Sequence, residues 1–418
     1  MVAVPLTVYP ICEQLLQVGK EAAFGSAPSS TAFVSVPVAG FMPDNKVTWV
    51  EDGSMWGDFV KTHDLQEGPY WAESEIKESP LYGDTFGNFL FGLLGDLVTT
   101  GTGTTPTWTS SAPPTAGGTV ISVSAGSTAV SGTFIQVDTS TNSEVVTVTT
   151  GSTGTTISIN PATPLRFTHG TTTTITTVVA PFTNTFSLLN PYGSTGVTTG
   201  QGPSYTFIHR TGIPGSGNNN AWQFVYGCMS EITINGKASG VLTWSGKVTT
   251  YKKAYPAFNP VPSFSAVRMI PAWKSTTSVA SSQVNDITEW SCTLTRELDV
   301  IPTADGVQDP YLIGRGNLDA TFKLMYSPTL DESALNNMLN NTQPTFSETI
   351  SNGLAGASQV SLTINANQAA YKQTPMAADK VFWGYDVSGE FIANTTNAGN
   401  SGGRSPVSIV LVNAVPGY

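Results

Sequence analysis

Glu73, Glu75 and Glu78 are the residues of this 418-residue chain most easily imagined in a reaction, because paired carboxylates can serve as acid and base at a glycosidic bond. On a strand, however, Glu73 and Glu75 point the same way and crowd like charges. Solvation, or a wide aqueous space, suits them better. Metal chemistry finds no support either: His63, His169 and His209 lie in unrelated surroundings, without HExxH or any paired ligand spacing. Cys12, Cys228 and Cys292 form no CxxC pair and leave one cysteine over under any disulfide scheme. Free thiols in a reducing compartment are the simplest reading.

Gly399-Asn-Ser-Gly-Gly403 nearly spells a serine-protease nucleophile loop, with Asn400 where such a loop carries Asp. Only 15 residues follow Gly403, and no histidine has the context of a catalytic base. A glycine-rich surface turn is expected instead. Neither a P-loop nor a dinucleotide fingerprint occurs. The chain reads as a non-enzyme without cofactor or metal.

Composition says what kind of chain would hold these residues. Only 11% of it is charged, against roughly 25% in an average globular protein. With 41 Gly and 27 Pro among many Ser and Thr, this points to a mainly β protein rich in turns. Ordinary hydrophobic content, 39%, argues against disorder. The formal net charge is −11, and acids concentrate between Phe41 and Val98, a bias that disfavours tight binding of nucleic acid. The segment Met1 to Pro10 has no basic residue ahead of its apolar ones, and no apolar run reaches the roughly 18 residues of a membrane span. A cytosolic protein, at least until it joins something larger, is the expectation.

One plan of strand, short helix, strand and hairpin occurs twice. The first copy has a strand around Ile76, helix-like Asp84 to Asp96, the strand Ser204 to His209 and the hairpin segment Phe224 to Ile234. The second has Asn317 to Tyr326, Asp331 to Asn340, Val360 to Ile364 and Val381 to Ile392. Phe86, Phe89, Leu90, Leu93 and Leu94 form an i, i+3, i+4 stripe with Asp84 as its candidate N-cap. Leu335, Met338 and Leu339 form the matching stripe, opened by a capping box of Thr329 and Glu332. Asn235-Gly236 predicts a two-residue hairpin turn. Ser26 to Pro43 and Ile301 to Pro310 read as extended arms or loops.

Between about Thr99 and Pro181 the only charged side chains are Asp138, Glu144 and Arg166. Five segments there mix apolar with hydroxyl residues: 119–123, 132–137, 144–148, 155–159 and 173–178. Separated by Gly, Ser, Asn and Pro, they predict the strands of a small sandwich or barrel. Because the strand plan resumes near Phe182, the block reads as an insertion into a loop of a β-domain.

Leu16-Gln-Val-Gly-Lys-Glu-Ala-Ala-Phe-Gly-Ser-Ala-Pro28, leading into Phe33-Val-Ser-Val36, resembles the opening of tail tube proteins of long-tailed, siphovirus-like bacteriophages. The resemblance continues through Glu73 to Gly95, Phe224 to Val248, Arg296 to Val300, Asp309 to Ile313 and Leu318 to Phe322. It implies a fold of two tandem tail-tube β-sandwich domains with short flanking helices that form a β-barrel ring on oligomerisation. Residues 1–98 with 182–258 would make the first domain, 99–181 the inserted β module and 259–418 the second domain.

The resemblance further implies a virion structural protein, assembled in the host cytoplasm, whose stacked rings form the channel for DNA. Rings of three chains, pseudo-hexameric through the duplication, are favoured over six. Implied partners are further copies of the chain, the tape measure protein, and tail terminator or tip proteins. DNA passes without specific binding, and nothing inserts in a membrane. Glu73, Glu75, Glu78 and Asp84 become candidates for an acidic lumen wall, and the inserted block a removable decoration of the outer wall. An adhesive or carbohydrate-binding surface protein is the alternative.

Overall fold

A computed structural model describes residues 14–54, 59–140, 142–150, 154–191, 200–210, 221–264, 267–327, 332–379 and 382–418. Cys12 and Thr329 lie outside the described residues. The first part of the chain forms β1 (Leu15–Lys20), β2 (Val34–Val36), β3 (Phe41–Asp52), β4 (Asp64–Pro80), helix α1 (Gly87–Leu94) and β5 (Gly95–Thr109). The low-charge block contributes β6 (Val120–Ser122), β7 (Phe134–Val137), β8 (Glu144–Thr150) and β9 (Thr156–Ile159). Then come β10 (Thr174–Leu188), β11 (Tyr205–Arg210), β12 (Ala221–Lys237) and β13 (Thr243–Tyr251). The remainder is β14 (Ser275–Val279), β15 (Ser282–Val284), β16 (Ile287–Ile301), β17 (Leu312–Tyr326), α2 (Ser333–Leu339), β18 (Phe346–Ser351), β19 (Ser361–Ala366), β20 (Ala369–Gln373), β21 (Met376–Asp379), β22 (Phe382–Phe391) and β23 (Ser408–Asn413).

These strands make two sheets, of 12 and 11 strands, packed as a sandwich. Alternation of side chains explains the packing: Ile232 and Ile234, Cys292 and Leu294, Phe322 and Leu324 turn inward from the larger sheet. One hydrophobic core runs from Leu16 to Leu411 between the sheets. Two aromatic knots stand in it, one where Phe89 meets Trp244 (4.4 Å) and one where Phe322 meets Phe391 (4.9 Å). The sheets continue across the middle of the chain through the pairs β12–β16 and β10–β23.

Each half has a long hairpin of the larger sheet (β3–β4, β16–β17), then a helix, a hairpin of the smaller sheet (β5–β10, β18–β19), and a pair back in the larger sheet (β11–β12, β20–β22). One sequence correspondence is corrected. The strand at 204–209 stands in the larger sheet, whereas its supposed counterpart at 360–364 stands in the smaller one. The topological counterpart of β18–β19 is the pair β5–β10, which the inserted block parts in sequence.

Helix α1 buries Phe89, Leu90, Leu93 and Leu94, each worth about 1.5–3 kcal/mol. It ends at Gly95, left-handed at φ 84°, and Arg296 donates to the Leu93 carbonyl at 2.7 Å. Asp84 is not its cap. The cap position is Phe86, with no side-chain bond, and the Tyr82 carbonyl organises the preceding turn by accepting from the Thr85 and Phe86 amides. Helix α2 also lacks a side-chain cap at Glu332, and its stripe is shifted: Ala334 is buried, while Leu339 is exposed.

Asn235-Gly236 is not a turn. Asn235 pairs with Thr243 and Ser291 inside the sheet, and the chain reverses only after Lys237, whose carbonyl accepts from the Gly240 amide. Glycine is needed at 236 because a Cβ there would collide with the Trp290 indole. Gly236→Ala is therefore expected to lower unfolding free energy by about 1–3 kcal/mol in a denaturant titration, and an unchanged midpoint would refute this packing argument.

All five strands expected in the low-charge block form, around a separate small core that includes Trp108, Ile135, Val148 and Ile175. Its attachment differs from a loop insertion. Strands β5 and β10 continue from the sandwich into the block as a ribbon from Gly95 paired with Leu188 to Thr109 paired with Thr174, with irregularities between Thr176 and Thr177 and between Val179 and Phe182. The segment Ser26 to Pro43 supplies β2 and the start of β3, and the loop after Ile301 folds back so that Gln308 accepts from the Tyr70 amide.

Candidate functional site: a hydrophilic sheet face

The larger sheet hides one face in the core and turns the other to water. Along β4, Ala72, Ser74 and Ile76 are buried while Glu73, Glu75 and Lys77 are exposed. Simple alternation would send Glu78 to the opposite face from Glu75. A bulge, at which Lys77 and Glu78 together oppose Ser245, returns it to the wet face. There the Glu78 carboxylate accepts from Thr243 Oγ1 at 2.6 Å and Asn235 Nδ2 at 3.3 Å.

Hydroxyl rungs carry the face onward. Thr233 meets Thr293 at 3.1 Å across β12 and β16, and Ser245, Ser291 and Thr321 lie in the same rows. From β4 to β20 the charged residues of the face include the carboxylates Glu73, Glu75, Glu78, Glu231, Glu289, Asp319, Asp386 and Glu390 and the lysines Lys77, Lys237, Lys247, Lys323 and Lys372. Lys247 bonds Glu231 at 3.0 Å, and Lys237 and Lys372 pair with Glu289 and Glu390. Acids outnumber bases among them, so the face is negative and rich in hydroxyls. Asp84 stands apart from it, half-buried on the core side of the sheet, near the Tyr418 ring that covers Gly87.

The residues considered for catalysis are dispersed. Ser401 is fully buried, and its hydroxyl donates to the Leu188 carbonyl at 3.3 Å while its amide bonds Asp96 at 2.7 Å. Its loop is a turn docked against the start of β5. His63 lies beyond the end of β3, and its amide donates to the Asp52 carbonyl. His209 is buried on β11, where burial pulls its pKa down to about 4. Cys228 and Cys292 are buried free thiols, and burial pushes Cys292 up to about 12. Among the described residues no group of His, Cys, Asp and Glu could hold a metal ion. In the inserted block Trp108 and Phe167 are buried and Phe134 packs on Phe182, so these aromatics offer no stacking platform for a sugar.

The model of a family described as phage tail tube protein matches residues 195–411, more than half of the chain. This chain belongs to the phage tail tube family. A search for similar curated proteins returned no match. Tail tube proteins are structural rather than enzymatic, and the family places the chain in a virion. No described helix is long and apolar enough to cross a membrane.

The Gly-Lys-Glu phrase at 19–21 lies outside the family match but at a junction of the tube fold. A Cβ on Gly19 would press on Pro28 at 2.8 Å. Lys20 is half-buried against the Phe91 ring (5.2 Å) and donates to the Tyr418 carbonyl at 2.9 Å; desolvation there, with the nearby Arg166 charge, lowers it to about 8. The Glu21 carboxylate accepts from the Gly25 and Tyr226 amides at 2.8 and 2.9 Å and from the Ser204 and Thr206 hydroxyls at 2.5 and 2.7 Å. The resemblance runs through this phrase, but the contacts it makes with Ser204, Thr206 and Tyr226 are not legible in it. Sequence reasoning also missed the wet-face lysines, although the alternation of Glu231 to Ile234 and of Ser291 to Thr295 carried the signal.

Proposed function

We propose that this chain polymerises into stacked rings, with the hydrophilic face of the larger sheet lining the channel through which DNA passes. The observation that carries the reading is the breadth of that face. It spans both halves of the chain and, among the described residues, ends in strands paired on one side, β3 at one margin and β20 with β21 at the other, while β2 ends the branch through β1 and β11. Free edges invite pairing with another copy, and closing them into a ring removes the hazard they pose. Val47, Trp49, Val50 and Leu65 are exposed on the β3–β4 hairpin, as an element awaiting a neighbour would have them.

Two sandwich units per chain, residues 1–98 with 182–258 and 259–418, favour three chains per ring. The tape measure protein would occupy the channel before DNA does, with terminator or tip proteins at its ends. Glu73, Glu75 and Glu78 would help repel phosphate; Asp84 is left out of that role by its place on the core side. The inserted module, residues 99–181, would stand on the outer wall.

Electron microscopy of the purified chain, with the mass of one ring, tests the assembly. Tubes with an open centre and three copies of the 43.9 kDa chain per ring are expected. Compact monomers at high concentration would overturn it. In virions, Glu73→Lys combined with Glu75→Lys is expected to leave tubes intact while slowing DNA release about tenfold, since added cations hold phosphate. Unchanged release would remove these residues from the channel wall.

A further inference from the structure

The inserted module is fastened to the body by more than the β5–β10 ribbon. Arg166, from the module, is half-buried at the junction: its guanidinium donates to the Leu97 carbonyl of β5 at 2.8 Å and lies 5.0 Å from the centre of the Phe91 ring of α1. Lys20 faces that ring at 5.2 Å, and the Asp96 charge acts on the guanidinium from the body side. Hydroxyl and amide contacts flank it: the Thr99 amide donates to the Ser143 carbonyl (3.3 Å), and the Gly101 amide to Gln136 Oε1 (2.9 Å).

What holds Arg166 at this depth is a carboxylate. Glu144 on β8 accepts from the Arg166 amide at 2.7 Å and the Phe167 amide at 3.2 Å, and His169 Nε2 meets the same carboxylate at 2.8 Å. On its other side His169 Nδ1 lies 3.5 Å from Asp138, whose carboxylate is tied to the Thr139 and Ser140 amides at 2.6 and 3.0 Å. The His169 amide donates to the Pro114 carbonyl. The ring is thus buried between two acids from two different elements, with Arg166 the cation nearest along its own segment. A doubly protonated imidazole can donate to both acids at once; a neutral one donates to a single acid and leaves the other carboxylate without that hydrogen bond and both acids without the neighbouring positive charge.

We propose that His169, Glu144 and Arg166 form a proton-operated latch, which fastens the inserted module to α1 and β5 and loosens when His169 gives up its proton. Burial by itself would favour the neutral ring, but the hydrogen bonds and charges of Glu144 and Asp138 outweigh it and raise the pKa above its ordinary 6.5. The sign follows: the contribution is complete below the ordinary histidine value and is lost as pH rises through the raised one. This latch does not depend on ring assembly and belongs to the single chain.

Amide hydrogen exchange on the full chain tests it. Between about pH 6 and pH 9, after correction for intrinsic exchange, the Thr99, Gly101, Arg166 and Phe167 amides are expected to lose protection about tenfold, while the Asn340 amide of the distant α2 turn holds. His169→Gln, which keeps a donor without the charge, should give the weaker protection at both pH values and erase the difference. A change below about twofold in the wild type, or the same pH response in His169→Gln, overturns the latch. Should that variant fail to fold, Lys20→Met decides, since Lys20 lies on the same ring and titrates near 8: a pH response that persists without Lys20 supports the latch, and one that disappears overturns it.

Discussion

Replacing Glu21 by alanine should cost the fold on the order of 4 kcal/mol, one of the largest losses available from a single side chain of this protein. Glu21 is only 6% exposed, and its carboxylate is the shared acceptor for two amides and two hydroxyls from three segments. Hydrogen bonds to a buried charge contribute about 1.5–3 kcal/mol each, and the donors left behind keep their desolvation cost. One of them, the Tyr226 amide, belongs to a residue in the left-handed region at φ 56°, where a non-glycine is strained. Strand β12 bends at that point, leaving β11 to pair with β13 and β16. Glu21→Gln should recover less than half of the loss, because its amide nitrogen confronts donors. Denaturant unfolding reads the effect, and a loss below about 1 kcal/mol would contradict it.

Stability of the second half should fall as pH rises, and Glu348→Gln should abolish that fall. Glu348 faces the core from the middle of the smaller sheet, with Thr277 Oγ1 donating to Oε2 while Oε1 accepts no hydrogen bond among the described residues. Burial raises its pKa to about 7, against hydrogen bonds from Thr277 and Ser275 that act the other way. A carboxyl raised above its unfolded value of 4.5 gives a contribution that is complete below that value and lost as pH rises through about 7. The interval corresponds to about 3 kcal/mol, so Glu348→Gln should be more stable than wild type by that order near pH 9 and nearly equal near pH 5. Paired unfolding curves at the two pH values measure this, and a constant difference between variant and wild type would refute it.

What the sequence disclosed follows the range of the forces involved. Alternation is local, so the wet and dry sides of β4, β12 and β16 could be read from residues such as Ile232, Thr233 and Ile234, and so could all five strands of the low-charge block. Helix α1 announced itself through Phe89, Leu90 and Leu93. Features decided by a distant partner were hidden. Gly236 resembles a turn residue until Trp290, 54 positions away, is seen resting on it. The bulge that turns Glu78 outward is set by its pairing with β13, and the role of Glu21 by donors as far away as Tyr226. Strands β5 and β10 escaped notice as a pair because the block between them separates Leu97 from Phe186 in sequence though the two are opposite in space. A shorter separation, 25 positions within the block, was enough to conceal the meeting of His169 with Glu144.

The ribbon of β5 and β10 has a mechanical side. Because both strands enter the module at its near end, a pull on the module draws them together out of the body, and neither is peeled from the other. The load passes to the ladder between β10 and β23, six paired positions from Phe182 opposite Asn413 to Ser187 opposite Ser408. Those bonds are sheared as a group instead of being unzipped in turn. Since β23 lies near the other end of the chain, tension applied to the module is delivered to both halves of the subunit.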